Sequence, residues 1–399
     1  MFNKKIKQRI CAGLLTSAMI FSMISTPVMA EDAVENTEIA AAQDSDFKDE
    51  APQIPGLTYE SEMELKYAQC FHVFYYNDGY ALIDIKDDGQ FLVVPEGKEA
   101  PEGLDGSITV IQKPVSRIYL AATSAMALFN AIDGLDSIRL SGTQASGWYV
   151  DNAAQAMEDG KILFAGKYDE PDYELLINED CDLAIESTMI LHSPKVADMI
   201  KELGIPVMID HSSYETHPLG RTEWVKLYSV LLGKEKEAEA FFDDQAKVIE
   251  DLSGFTNTEK TVAYFYINTD GSAVVRTSDD YIPKMIEIAG GRYIFPDLKN
   301  TEGTGSSVRL TMEEFYNQAV NADYIIYNAS IDSPISSIDD LLAKSDLFAD
   351  FKAVKDGNVW CTGKQLYQAT DIVGELIQDV HLMLTGGDEK DMIFLTRVS

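Results

Sequence analysis

Side chains able to do chemistry crowd into one stretch of this sequence, SSYETHPLGRTEW at positions 212–224, which holds Tyr214, Glu215, His217, Arg221 and Glu223. With His192 and His211 upstream, three imidazoles and the Glu215 carboxylate offer a zinc or manganese ligand set, although their spacing matches no short metal motif. Hydrolysis by a serine nucleophile needs a strained Gly-x-Ser-x-Gly turn, which the chain lacks. GTGSS at 303–307 has no Lys-Ser/Thr ending and reads as a flexible loop, not a phosphate cradle. A glycosidase pair drawn from 66 acidic residues carries no information. Within the stretch, Pro218-Leu219-Gly220 reads as a tight turn, and Thr222 as a helix cap with Glu223 against the positive helix end. Arg221 either bonds Glu215 or carbonyls across that turn or meets a ligand, whereas Tyr214 and His217 have no local task and are candidate ligand contacts.

Elements must position these groups. Residues 71–97 alternate in type around Asn77-Asp78-Gly79 and Asp87-Asp88-Gly89, the signature of an antiparallel meander. From Pro114, strands over 117–121, 137–141, 182–185 and 206–209 alternate with helices such as 124–132 and 194–203, which argues for a parallel sheet covered by helices. Residues 234–252 carry Ala238, Phe241, Phe242, Gln245, Ile249 and Leu252 as one apolar stripe on a charged helix. At 19 residues it would reach about 28 Å and suits a strut between two lobes. Beyond it come strands at 262–267, 273–276, 324–327 and 358–361 and helices at 282–289, 312–322, 338–354 and 370–384, a second α/β lobe. The boundaries are therefore 58–233 for the first lobe with its meander, 234–254 for the connecting helix and 255–399 for the second lobe.

Ligands of such sheets bind beyond the carboxyl ends of the strands, here between the lobes. The first lobe supplies Thr123, Ser124, Trp148, Tyr149, Ser187 and Thr188 at such ends, besides Tyr214, His217 and Arg221. The second supplies Tyr266, Arg276, Asn328, Lys364 and Gln365.

The first thirty residues have a basic start, an apolar run over 10–24 and a small-residue end, a secretory signal peptide cut after Ala30. Its removal takes away four of 32 basic residues and no acidic one, leaving a net charge of −38, which argues against nucleic acid and anionic membrane surfaces as partners. Residues 31–57 are acidic and aperiodic, a disordered linker. A lipid-anchor cysteine would follow the apolar run, whereas Cys11 stands at its beginning, so none is evident, and Cys70, Cys181 and Cys361 read as free thiols.

Together, the segments YLAATSAM, GKYDEPDYELL, SSYETHPLGRTEW, YFYINTDGSAVVRTSDDYIPKMIEIAGGRYIF, MEEFY, DYIIYNAS and TGKQLYQATD resemble the substrate-binding proteins of iron-complex and cobalamin ABC importers, from about residue 108 to 384. The resemblance implies two Rossmann-like lobes joined by a single long helix, the type III periplasmic-binding-protein architecture, with the meander as an addition. It also implies a monomeric, non-enzymatic receptor without a cofactor of its own. Such a receptor captures a metal chelate (ferric siderophore, haem or corrinoid) between the lobes and delivers it to a permease dimer. Trp148, Tyr149, Tyr214 and Tyr266 would then offer apolar faces and Arg276 would pair with ligand carboxylates or phosphate. In this family one glutamate on each lobe docks to the permease. Glu313, with Glu314 as its near alternative, matches on the second lobe; the first-lobe position has Pro194-Lys195 instead, with Asp198 or Glu202 as substitutes. Export then leaves the protein periplasmic or associated with the cell surface. The alternatives are a receptor for bare zinc or manganese using His192, His211 and His217, and a secreted hydrolase.

Overall fold

The computed structural model describes residues 50–252, 254–301 and 305–399. The signal peptide read over 1–30, most of the linker and the start of the 303–307 loop lie outside the described residues. No helix among the described residues is long and apolar enough to cross a membrane.

A first sheet runs in the order β1 (Tyr59–Glu62), β2 (Phe71–Tyr76), β3 (Ala81–Ile85), β4 (Gly89–Val94) and β5 (Ile108–Gln112). Asp78 and Asp87, in the two expected turns, take φ of 60° and 61°, a conformation that aspartate tolerates because its short side chain bonds locally. The meander is antiparallel as far as β4, and β5 then joins parallel. Its outer face is closed by residues read from sequence as linker: Ile54 is buried with Phe74, Tyr76 and Leu82, and the Tyr76 hydroxyl donates to the Pro52 carbonyl. That corrects the linker's end, because apolar burial extends back into an aperiodic segment.

The second sheet is all parallel. Its order is β12 (Val207–Asp210), β11 (Leu183–Ser187), β6 (Ile118–Leu120), β7 (Ile138–Ser141) and β8 (Leu163–Phe164), beside a two-residue ladder of β9 (Gly166–Lys167) and β10 (Glu170–Pro171). Helices α1 (Ala125–Ala131), α2 (Asp151–Glu158), α3 (Tyr173–Asn178) and α4 (Pro194–Glu202) belong to this lobe. Edge strand β12 is capped by the meander, whose Asp88 carboxylate accepts the Ile209 N–H at 2.8 Å, so its open hydrogen-bonding edge is blunted.

Two consecutive helices follow, α5 (Pro218–Leu232) and α6 (Glu235–Leu252), separated by Gly233 at φ 68°, a left-handed helix stop. On α6 the buried residues are Ala238, Phe242, Gln245, Ala246 and Ile249; four of these belong to the stripe read from sequence, whose Phe241 and Leu252 are half-buried, and Ala246 joins them. Its first half meets the first lobe, with the Lys226 ammonium 4.7 Å from the Phe242 ring centre. Its second half meets the second lobe, where Gln245 Oε1 accepts the Gly374 N–H at 3.3 Å. The structure adds that α5, buried from Pro218 to Leu231, lies against α6 and also touches both lobes.

The third sheet runs β16 (Ser307–Leu310), β14 (Ala273–Arg276), β13 (Thr261–Ile267), β17 (Tyr324–Tyr327), β18 (Val359–Thr362) and β19 (Leu395–Arg397), with β15 (Arg292–Tyr293) on β13. Strands β13, β17 and β18 are parallel, whereas β14 runs antiparallel to β13. Helices α7 (Tyr281–Ile288), α8 (Met312–Ala319), α9 (Ile338–Lys344), α10 (Lys352–Lys355) and α11 (Val373–Thr385) complete the lobe. The helix expected over 338–354 is broken because Ser345 and Phe351 take extended conformations; Ser345 caps a short 3-10 turn, and Phe351 is buried in the core. Cys70, Cys181 and Cys361 are buried free thiols.

Candidate ligand cleft

The carboxyl ends of β6, β7, β11 and β12 on one lobe and of β13, β17 and β18 on the other carry most of the nominated residues. Two side chains tie the lobes together there. Gln368, just past β18, accepts the Tyr149 N–H through Oε1 at 2.8 Å and donates Nε2 to the Gly147 carbonyl at 2.8 Å. Thr370 donates its hydroxyl to the Ser124 carbonyl at 2.6 Å, and the Thr222 hydroxyl donates to the Thr370 carbonyl at 2.9 Å. Neither Gln368 nor Thr370 was nominated from sequence. Both lie in TGKQLYQATD, the segment that also holds Lys364 and Gln365; a 3-10 turn from Lys364 to Tyr367 carries the chain on to Gln368.

On the first lobe Thr123 and Ser124 are half-buried, and the Ser124 hydroxyl donates to Asp210 Oδ2 at 2.7 Å. Tyr149 and Tyr214 are 44% and 49% exposed, the most open aromatic rings at these strand ends. The Tyr214 phenol accepts from Thr188, while burial raises its pKa. Ser187 and Thr188 are half-buried at the end of β11. Met189 and Leu191, past β11, also leave large apolar surface exposed, as do Ile331 past β17 and Tyr367 past β18. Sequence reading missed these four, since single apolar residues in loops have no period.

Other nominated residues have tasks elsewhere. Trp148 is buried and donates its indole N–H to Ser141 Oγ at 3.2 Å, so its ring belongs to the core. Arg276 lies beside the middle of β13, because β14 runs antiparallel to it; its guanidinium donates to Ser306 Oγ at 3.1 Å and lies 3.8 Å from Asp280. Asn328 is buried, with Oδ1 accepting from the Ser330 hydroxyl at 2.6 Å, an Asx-type turn. Tyr266 and Gln365 are half-buried and Lys364 is exposed.

The stretch 212–224 also departs from expectation. Pro218 to Gly220 form the first turn of α5, and the cap is His217, whose Nδ1 accepts the Leu219 N–H at 3.2 Å while the ring stacks on Tyr67 at 4.3 Å. Burial, with help from the Lys284 charge, pushes the His217 pKa down to about 4, so the imidazole is neutral. Glu215 and Glu223 form an acceptor cradle for the start of the meander: Glu223 takes the N–H groups of Lys66, Tyr67 and Ala68 at 2.7–3.1 Å, and Glu215 those of Gln69 and Cys70 at 2.8 and 3.0 Å. Arg221 bonds neither carboxylate; it lies 4.2 Å from the centre of the Tyr281 ring, which belongs to the second lobe.

The three-histidine metal site is therefore not assembled. His192 is exposed, His211 is buried edge-on to Tyr214, and His217 is committed to its cap. Among the described residues no group of three or more His, Cys, Asp or Glu side chains is arranged to hold a metal ion.

Residues 130–366 match the family model described as periplasmic binding protein. An uncharacterized lipoprotein of Methanocaldococcus jannaschii is 28% identical over 353 residues, covering 80% of this chain and 81% of its own. A second uncharacterized lipoprotein of that organism is 26% identical over 341 residues, covering 82% and 84%. Among solved structures, a periplasmic heme binding protein from Pseudomonas aeruginosa superposes with a TM-score of 0.53 at 15% identity, over 71% of this chain and 98% of that one. A possible iron-binding (periplasmic solute-binding) protein from Staphylococcus epidermidis gives 0.52 at 18% identity, over 67% and 97%. Both likenesses concern the fold.

Proposed function

The chain belongs to the periplasmic binding protein family, and on that premise we propose that it is an extracytoplasmic receptor for a metal chelate, a ferric siderophore, haem or corrinoid. It holds the chelate between its lobes and hands it unchanged to an ABC permease dimer. The observation that carries this reading is the set of large apolar side chains left exposed past the strand ends of both lobes: Tyr149, Met189, Leu191 and Tyr214 on the first, Ile331 and Tyr367 on the second. Chelates of this class present broad apolar faces, for which aromatic side chains supply contact area at low entropic cost and a thioether supplies polarizable, adaptable contact. The likeness to a heme binding protein and to a possible iron-binding protein supports the same class.

The receptor acts as a monomer after export, with its signal peptide cut following Ala30. It consists of a first lobe at 58–233, a connecting helix at 234–254 and a second lobe at 255–399. Thr123, Ser124, Ser187, Thr188, Tyr266, Lys364 and Gln365 complete the lining. Absorbance and fluorescence titration with haemin, cyanocobalamin and a ferric hydroxamate siderophore tests the reading. Saturable one-to-one binding of one of them is expected, weakened about tenfold or more by Tyr214→Ala at unchanged Tm. Trp148→Ala should instead lower Tm. Binding of none of the three, with tight binding of bare zinc, would sink the proposal.

A further inference from the structure

We propose that Arg221 forms an anion subsite at the junction of the lobes, which makes this receptor select chelates carrying free carboxylates; the inference rests on the chelate reading above. The chain has 66 acidic residues against 32 basic ones, so a buried base has ample choice of partner. Lys226 takes Glu223 at 3.1 Å and Arg276 takes Asp280 at 3.8 Å. Arg221 is only 7% exposed, yet among the described residues it has no ion pair, and its Nε is buried without an acceptor. A guanidinium buried in this way is costly unless a counter-charge arrives.

The geometry shows from where it would arrive. Tyr281 covers one face of the guanidinium at 4.2 Å. The N–H edge of a guanidinium is the part that takes a carboxylate through two parallel bonds, and here its Nε has no hydrogen-bond partner among the described residues. Further positive potential comes from Lys284, one turn along α7, whose charge is felt at His217, and from the amino end of α5, on whose first turns Arg221 stands. The neutral His217 adds no competing acceptor, since its Nδ1 is occupied by the Leu219 N–H. A ligand carboxylate would meet the unfilled Nε and balance the buried charge in one step, and a chelate without one would leave both as they are.

Two measurements test this on the full mature chain. In the first, thermal unfolding is followed in sodium citrate and in sodium chloride of equal ionic strength. Citrate is expected to raise the wild-type Tm by about 2–4 °C more than chloride. Arg221→Met should be more stable than wild type in chloride and lose the citrate-specific rise, and Arg221→Lys should retain part of it. An equal citrate rise in wild type and Arg221→Met overturns the subsite, as does no rise in either. In the second, haemin is compared with haemin dimethyl ester, which differ only in free carboxylates. Wild type should prefer haemin by about 10- to 100-fold, and Arg221→Gln should bind both alike. Equal wild-type affinity for the two overturns the inference while leaving the chelate reading standing. If neither porphyrin binds, that counts against haem as cargo, and the citrate response still decides the subsite.

Discussion

Glu223 and Lys226 stand one turn apart on α5 with carboxylate and ammonium 3.1 Å apart, both buried. Because the same carboxylate receives three consecutive backbone N–H groups of the segment before β2, the pair joins the appended sheet to the helix between the lobes. Lys226 adds a bond from its ammonium to the Glu64 carbonyl at 3.1 Å.

Removing one member of such a pair leaves an uncompensated buried charge. Glu223→Ala is expected to destabilise the protein by about 3–5 kcal/mol, read as a lower urea midpoint, with proteolysis beginning near residues 64–70. Replacing both residues, as in Glu223→Met with Lys226→Met, should recover part of the loss. A single variant within about 0.5 kcal/mol of wild type would mean that the cradle contributes nothing.

Glu186 on β11 predicts a pH dependence. Its side chain is wholly buried, neither carboxylate oxygen has a hydrogen-bond partner, and burial pushes its pKa up to about 8. The folded state thus holds the proton more tightly than the unfolded chain does. Stability is greatest below the ordinary glutamate pKa and falls as pH rises toward about 8. Glu186→Gln removes the titration, so the Tm difference between this variant and wild type should widen between pH 5 and pH 8 in favour of glutamine, as differential scanning calorimetry would record. A pH-independent difference would refute the assignment.

Gln368 clasps the two lobes through its amide. Gln368→Leu deletes its two bonds to the loop after β7, worth about 1 kcal/mol each. Small-angle scattering of the ligand-free variant should show a larger radius of gyration, and a bound chelate should leave faster. Identical scattering curves and dissociation rates for variant and wild type would show that the clasp does not restrain opening.

Glu313 and Glu314 are distinguished by their bonds. Glu314 closes a capping box, its carboxylate accepting from Thr311 at 2.8 Å, so Glu314→Ala should lower the Tm. Glu313 is exposed beside it. Glu313→Arg should leave Tm and chelate affinity unchanged and abolish stimulation of the permease's ATPase in proteoliposomes; full stimulation by this variant would remove it from the docking surface.

Periodicity along the chain was enough to read the two α/β lobes and the helix between them: 234–252 from sequence against Glu235–Leu252 in the structure. An apolar stripe at helical spacing and short β-rich runs are local signals that survive into the fold. So was the position of Thr123, Ser124, Tyr149, Thr188 and Tyr214 after the carboxyl ends of strands, because in a parallel sheet chain order already tells which end a loop leaves. That inference fails where a strand reverses, and Arg276 was misplaced for this reason.

What chain order does not contain is the partner of a buried polar group. Glu223 meets Lys66, Tyr67 and Ala68 across 155–157 residues, and Gln368 meets Gly147 and Tyr149 across 219–221. A carboxylate or amide has the same local propensity whether it caps a turn, cradles a distant strand or clasps another lobe. The tertiary structure decided among these by bringing unsatisfied donors to each buried acceptor, since a polar group left without a partner is costly. Sequence alone therefore determined the class of fold, and packing decided which polar side chains, such as Glu223, Gln368 and His217, were spent on holding the molecule together.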